Sequence, residues 1–77
     1  MTNKEMVTSV LNEFGCMNSF QIKGAVYRKY GVTITPQTAA GVLRPLIGYG
    51  WAANSKDGNN RTIYWLTDAG KEKLFKK

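Results

Sequence analysis

The chain has 77 residues, of which 43% are hydrophobic, so it can build one small core but neither two domains nor a deep substrate cleft. Eleven Lys and Arg against five Asp and Glu give a net charge of +6. A small basic domain favours an anionic partner, most commonly nucleic acid, although net charge can also serve solubility alone. No apolar run reaches the roughly 20 residues that span a bilayer, and no stretch of the signal-peptide type precedes the first helix. We therefore expect one domain over residues 1–77 in the cytoplasm, with no membrane contact.

The residue types that are missing argue against an enzyme. The chain has no histidine and one cysteine, which excludes nucleophile–His pairs, an internal disulfide and a zinc site built on Cys or His. The five carboxylates are scattered along the sequence rather than clustered. We expect no catalytic residues, no metal and no cofactor, so the question becomes what the domain binds.

Two helices are predicted in the first 30 residues. The first spans 3–14, with Asn3 as its N-cap and one apolar stripe: Met6, Val7, Val10, Leu11 and Phe14. Cys16 and Met17 form a short stretch that could pair with a sheet, and we expect Cys16 to be buried. Asn18 and Gln21 form a capping-box pattern that begins the second helix, over 19–30. Its inward residues are expected to be Phe20, Ile22, Ala25, Val26 and Tyr30.

The third helix is predicted over 36–48. Thr35 is a favoured N-cap, and Pro36 fits the first helical position because no hydrogen bond is lost there. The inward residues are expected to be Ala39, Val42, Leu43, Leu46 and Ile47. Pro45 removes the hydrogen bond to the Gly41 carbonyl, and we interpret Gly41 as relief from crowding by the proline ring.

A hairpin over 51–66 and a last helix over 68–75, capped by Thr67, complete the predicted elements. Asp57-Gly58 favours a two-residue type I′ turn, which pairs Trp51 with Tyr64 and Lys56 with Asn59. Because side chains alternate along a strand, the first face then holds Trp51, Ala53, Thr62, Tyr64 and Leu66, and the second holds Ala52, Ile63 and Trp65. We expect the face of Tyr64 and Leu66 to be the inner one.

This order of elements is the layout of a winged helix, an α+β fold in which a three-helix helix-turn-helix core is followed by a β-hairpin wing and a short C-terminal helix. The run Thr38-Ala39…Leu43…Leu46…Gly50-Trp51 resembles the recognition helix of winged helix-turn-helix regulators. The run from Arg61 to Gly70 (RTIYWLTDAG) resembles the wing-to-last-helix segment of MarR- and PadR-type regulators. The likeness spans the whole layout and the motifs of about residues 38–70. MarR and PadR proteins are longer and carry further dimerisation helices, so in size the chain resembles the single-module regulators of bacteria and their viruses.

The resemblance implies a DNA-binding transcriptional regulator, with the third helix in the major groove and the wing on the adjacent minor groove or its phosphates. Gln37 suits an adenine edge, Arg44 a guanine or a phosphate, and Ala40 a thymine methyl. Lys56 and Arg61 suit phosphates. Ser19 begins a helix whose first backbone N–H groups commonly meet a phosphate, and capping is compatible with that contact. Asn59 and Asn60 could contact the minor groove, although turn formation also explains them. The predicted DNA-binding residues are Ser19, Thr35, Gln37, Thr38, Ala40, Arg44, Lys56, Asn59, Asn60 and Arg61.

The alternative function is a winged-helix module that binds another protein. The third helix is unusually apolar, and an Ile63–Trp65 pair directed away from the core needs a cover. Leu74 and Phe75 of the last helix could supply it, or the face of Ile63, Trp65 and Phe75 could be an interface with a second copy or a partner protein.

The distribution of charge bears on the strength of DNA binding. Residues 35–67 carry three basic side chains and one acidic side chain, a net of +2. Few phosphate contacts give weak, salt-sensitive binding. We therefore expect specific binding to double-stranded DNA to need a homodimer, neighbouring copies or a partner protein.

Overall fold

The computed structural model describes residues 2–75, as four helices and three strands. The helices are α1 (Asn3–Phe14), α2 (Ser19–Tyr30), α3 (Pro36–Gly48) and α4 (Asp68–Phe75), and they occupy the predicted spans. The strands β1 (Met17–Asn18), β2 (Ala52–Lys56) and β3 (Thr62–Leu66) form an antiparallel sheet in the order β1-β3-β2. The predicted α+β class and element order are thus confirmed. Within residues 2–75, no helix is both long and apolar enough to cross a membrane.

Hydrogen-bonded caps explain where the first two helices begin. The N-cap of α1 is Thr2 rather than the predicted Asn3, because the Thr2 hydroxyl accepts the Glu5 N–H while the Glu5 carboxylate accepts the Thr2 N–H, each at 3.1 Å. Asn3 is already helical. The capping box predicted for α2 is confirmed, since the Asn18 side chain accepts the Gln21 N–H at 2.8 Å and the Gln21 side chain accepts the Asn18 N–H at 3.0 Å.

The core lies among α1, α2, α3 and the inner face of the sheet. Its fully buried side chains include Val7, Val10, Leu11, Ile22, Val26, Leu43 and Leu46. Three predictions about burial were wrong, because Phe14 and Phe20 are 58% and 64% exposed and Cys16 is also exposed. Phe14 is the last residue of α1, and Phe20 lies about 200° around α2 from the buried Ile22. Cys16 directly precedes Met17, which is buried, and side chains alternate along an extended chain.

The hairpin register differs from the predicted one. Tyr64 pairs with Asn54 rather than Trp51, a shift of three positions. The cause is a three-residue loop: the Asp57 N–H donates to the Arg61 carbonyl at 2.9 Å, and Asn60 adopts a positive φ of 64°. This is the geometry of a turn followed by a left-handed residue, and it replaces the predicted two-residue turn.

An odd shift in register exchanges the two faces of one strand. Ala52 pairs with Leu66, and both are buried, whereas Ala53 pairs with Trp65 on the other face. The prediction had placed Ala53 with Leu66 and Ala52 with Trp65. The faces assigned within β3 are unaffected, and Tyr64 packs against the core as predicted.

A tight junction joins the end of α3, the base of the wing and α4. The Thr67 hydroxyl donates to the Gly50 carbonyl at 2.7 Å and accepts the Gly70 N–H at 3.0 Å, which confirms Thr67 as the cap. The Thr67 N–H donates to the Trp51 carbonyl at 3.1 Å. A Cβ on Gly70 would lie 2.6 Å from the Trp51 carbonyl carbon, so only glycine fits this position. The junction therefore fixes how the wing leaves α3.

Candidate nucleic-acid interface

The third helix presents a free face opposite its buried side. Ala39, Leu43 and Leu46 pack into the core and are at most 2% exposed. On the other side, Gln37, Gly41 and Arg44 are exposed and Ala40 is half-buried. The spacing of these four residues places them on one stripe along α3, which we call the α3 stripe. The predicted outward residues of this helix therefore share one surface.

Hydrogen bonds within the first turn of α3 already occupy most of its backbone donors. The Thr35 hydroxyl accepts the Thr38 N–H at 3.1 Å and lies 2.9 Å from the Thr38 hydroxyl. The Thr35 carbonyl accepts the Ala39 N–H at 3.1 Å, and Pro36 has no N–H. Within residues 2–75, this leaves the Gln37 N–H as the free backbone donor of the turn. An anion at this helix end would meet one N–H and the positive end of the helix dipole.

The structure shows no side-chain clash with Pro45 that a glycine at position 41 would relieve. A Cβ on Gly41 would have no atom within 4 Å, and the ring of Pro45 is among the groups that it does not meet. The helix continues through Pro45 to Gly48. The interior of the protein therefore gives no steric reason for a glycine at position 41.

The wing loop is organised by a residue that sequence reasoning treated only as part of the turn. The Asp57 carboxylate accepts the Asn59 N–H at 2.9 Å and the Arg61 N–H at 3.0 Å. Asn59, Asn60 and Arg61 are exposed at the tip, as is Lys56 at the end of β2. The signal for this role is the position of an aspartate two residues before a main-chain donor, the pattern of an Asx turn.

The cations of these two surfaces are unpaired. Among residues 2–75, neither Arg44, Lys56 nor Arg61 forms an ion pair. Lys29 differs, because its ammonium group lies 3.0 Å from the Glu13 carboxylate and also contacts the Ser9 hydroxyl at 3.1 Å. The hydrogen bond that its ammonium group donates to Glu13 raises the pKa of Lys29. Lys29 thus ties α2 to α1, while the other three charges are free to meet an anion.

The predicted site residues fall into separate groups in the structure. The α3 group comprises Thr35, Gln37, Thr38, Ala40 and Arg44, and the wing group comprises Lys56, Asn59, Asn60 and Arg61. No hydrogen bond joins the two groups within residues 2–75. Ser19 stands apart as the half-buried first residue of α2.

The alternative interface residues have mixed exposure. Ile63 and Trp65 are half-buried on β3, and Phe75, at the end of α4, is 38% exposed. Their role as an interface stays a prediction.

Comparison with known proteins finds the fold but no close relative. No family model matches the sequence, and no curated protein does. A winged-helix DNA-binding protein from STIV is 14% identical, with a TM-score of 0.80 over 94% of this chain and 78% of its own. A transcriptional regulator from Clostridium thermocellum is 20% identical, with a TM-score of 0.78 over 92% of this chain and 71% of its own.

A MarR-family transcriptional regulator from Silicibacter pomeroyi is also similar, with 26% identity and a TM-score of 0.72. The match covers 95% of this chain but 46% of that regulator. These likenesses define the class as a helix-turn-helix domain with an added hairpin. The chain is a winged helix-turn-helix domain, as its resemblance to MarR-type regulators implied.

Proposed function

We propose that this protein is a transcriptional regulator that binds double-stranded DNA in the cytoplasm. The observation that carries the proposal is the exposed α3 stripe, which combines an amide, a guanidinium and a bare stretch of backbone on one face of the recognition helix. Proteins of similar structure include a winged-helix DNA-binding protein and transcriptional regulators. The fold allows other functions, so the argument rests on the residues of this surface.

The α3 stripe suits the floor of the major groove. Arg44 can donate two hydrogen bonds to a guanine, and the Gln37 amide can both donate to and accept from an adenine. Between them, Ala40 and Gly41 let the helix backbone approach the base edges. Because no internal contact requires Gly41 to be small, close approach of DNA supplies the missing reason for a glycine there.

The remaining predicted residues would hold phosphates. Lys56 and Arg61 reach out from the wing, and Asp57 orders the backbone between them before DNA arrives. Asn59 and Asn60 lie at the tip, where amide side chains can contact the minor groove. The Gln37 N–H with Thr35 and Thr38, and the start of α2 at Ser19, would supply further phosphate contacts.

The number of unpaired cations determines the electrostatic contribution to DNA affinity. Two phosphate contacts by Lys56 and Arg61 would give a salt slope of about −2 in log affinity against log salt concentration, at about −0.9 for each contact. This is a small electrostatic contribution compared with regulators that neutralise six or more phosphates. We therefore propose that a single copy binds weakly and that affinity grows when copies assemble.

The test is fluorescence anisotropy with duplex DNA over a series of salt concentrations. We expect Arg61→Ala to make the slope shallower by about one contact on every sequence. Arg44→Ala should also weaken discrimination between sequences, because a base contact contributes about 1–3 kcal/mol. Lys4→Ala, an exposed cation on α1, is the matched control and should leave both quantities unchanged. Absence of binding at low salt, or equal slopes for all three variants, would refute the proposal.

A further inference from the structure

The outward side of α2 carries a second organised surface, which we call the Gly24 face. At about 100° per residue, Gly24 lies at its centre, opposite the buried Ile22 and Val26. Phe20 and Tyr27 lie along one edge, and Gln21 and Arg28 lie along the other. Phe20 and Tyr27 are 64% and 60% exposed, although both are aromatic side chains. This surface shares no residue with the α3 stripe or the wing.

No contact within the chain explains why position 24 is a glycine. A glycine in the middle of a helix weakens it relative to alanine. A Cβ on Gly24 would meet no atom within 4 Å, so neither packing nor a close contact requires its absence. What a glycine provides at an outward position is room for another backbone to come close.

The apolar surface around Gly24 has the size of the patches that are often functional on monomeric proteins. A groove of about 590 Å³ runs along the Arg28 edge, lined by residues that include Phe14, Cys16 and Ala25. Phe14, one of these lining residues, is 58% exposed. With 150–250 Å² for each aromatic side chain, Phe14, Phe20 and Tyr27 together expose about 350 Å². Patches of this size on monomers are often functional.

We propose that a second copy of this chain docks on the Gly24 face, with the two α2 helices crossing antiparallel at Gly24. The arrangement of side chains is self-complementary about such a two-fold axis. On one side of the crossing, Phe20 of each copy meets Tyr27 of the other, and on the opposite side Gln21 of each meets Arg28 of the other. The same four residues are thus used twice, as an isologous interface requires.

Electrostatic repulsion between the two copies is small enough to permit the antiparallel arrangement. Arg28 lies four residues from the crossing, so the two Arg28 positions are about 12 Å apart along the helix axis at 1.5 Å per residue. This exceeds the Debye length of about 8 Å at physiological salt, so their repulsion is screened. The dipoles of antiparallel helices also oppose each other. Lys23 is the cation nearest the crossing, and it lies about 100° around the helix from Gly24, at the flank of the face. Lys29 is already paired with Glu13.

The size of the apolar patch determines how strongly the two copies are expected to associate. A standard interface buries about 800 Å² on each partner, and the three exposed aromatics supply less than half of that. The dimer should therefore be weak and concentration-dependent, in the micromolar to submillimolar range typical of small interfaces. The inference rests on the structure of α2 and holds whether or not the protein binds DNA.

Sedimentation velocity of the full chain without DNA, over that concentration range, tests the proposal. We expect the wild type to shift from monomer to dimer and Gly24→Gln to stay monomeric, because its side chain fills the crossing point. Misfolding is not a concern for this variant, since position 24 is open and glutamine is the better helix former. The matched control is Gly41→Gln, an open helical glycine on α3, which should dimerise like the wild type while losing affinity for DNA.

The single exposed cysteine supplies a second measurement. Cys16 borders the groove, so its reaction with a soluble thiol reagent should slow as the wild-type concentration rises and should not slow in Gly24→Gln. A wild type that stays monomeric throughout, or a Gly24→Gln variant that dimerises equally well, would overturn the proposal. Either result would leave the proposed DNA binding untouched, because that is measured separately on Arg44 and Arg61.

Discussion

Replacing Gly70 with alanine should destabilise the fold severely for so small a change. The added Cβ would lie 2.6 Å and 2.9 Å from the carbonyl carbon and Cα of Trp51, and closer still to the carbonyl oxygen. Backbone atoms cannot rotate away as a side-chain end can, so α4 would have to move outward. That movement stretches the hydrogen bonds from Thr67 to the Trp51 and Gly50 carbonyls and loosens the packing of Leu74 against the core.

The magnitude follows from these contributions. Overpacking costs about 1–3 kcal/mol, and two weakened hydrogen bonds cost about 1 kcal/mol each. The better helix propensity of alanine returns up to about 1 kcal/mol. The net loss in unfolding free energy is therefore about 2–5 kcal/mol, which for a domain of this size lowers the melting temperature by roughly 10–40 °C.

Thermal unfolding followed by circular dichroism measures this loss, at concentrations where the protein is monomeric. Gly24→Ala is the matched control, because it makes the same chemical change at a helical position with no atom within 4 Å. We expect Gly24→Ala to raise the free energy of unfolding by about 0.5–1 kcal/mol, whereas Gly70→Ala should lower it. A Gly70→Ala protein that melts at or above the wild-type temperature would refute the account of the junction.

Two further predictions concern the first helix and the sheet. Hydrogen bonding to the Thr2 backbone and side chain lowers the pKa of Glu5 below its usual 4.5, so this carboxylate stabilises the folded state above that pH and the stabilisation is lost on acidification. Glu5→Gln keeps a capping side chain without the charge, and its unfolding free energy should fall less steeply than that of the wild type as the pH drops below about 4.5; equal slopes would contradict this role. Trp65→Ala should cost about 1–2 kcal/mol, because the side chain is half-buried on β3, and should leave sedimentation unchanged. Intact stability with lost self-association would instead place the interface on the Ile63–Trp65 face.

The helices were predictable because their signals are local. Capping pairs such as Asn18 with Gln21, and stop signals such as Gly31, act within one helical turn. The wing register was not predictable in this way, since it depends on whether the loop has an even or an odd number of residues. The sequence signal at Asp57-Gly58 suits a two-residue turn, but Asn60 also tolerates a positive φ. The carboxylate of Asp57, which accepts two main-chain N–H groups, selects the longer loop.

The outward residues of the candidate site could also be predicted, but the exposure of two aromatic residues could not. The periodicity of α3 separates its buried side from the outward Gln37–Arg44 stripe, and the burial of Ala39 and Leu43 confirms that separation. Phe14 follows the periodicity of α1 but lies at the helix end, past the packed surface. Phe20 was assigned inward against the periodicity of α2, which places it on the side opposite Ile22. These two errors define much of the apolar patch beside Gly24. The surface for which the sequence predicted the wrong burial is therefore the one for which we propose a partner.

Three helical glycines show why the residue type alone does not reveal the role of a position. In the sequence, Gly24, Gly41 and Gly70 look equivalent, because each interrupts a helix where alanine would be more stable. In the structure, Gly70 faces the Trp51 backbone at a distance that excludes any side chain, while the other two face open space. A contact within the protein accounts for the glycine at position 70, but none accounts for the glycines at positions 24 and 41. If external contacts do, larger residues at positions 24 and 41 should stabilise the monomer while each removes a different interaction, self-association for Gly24 and DNA binding for Gly41.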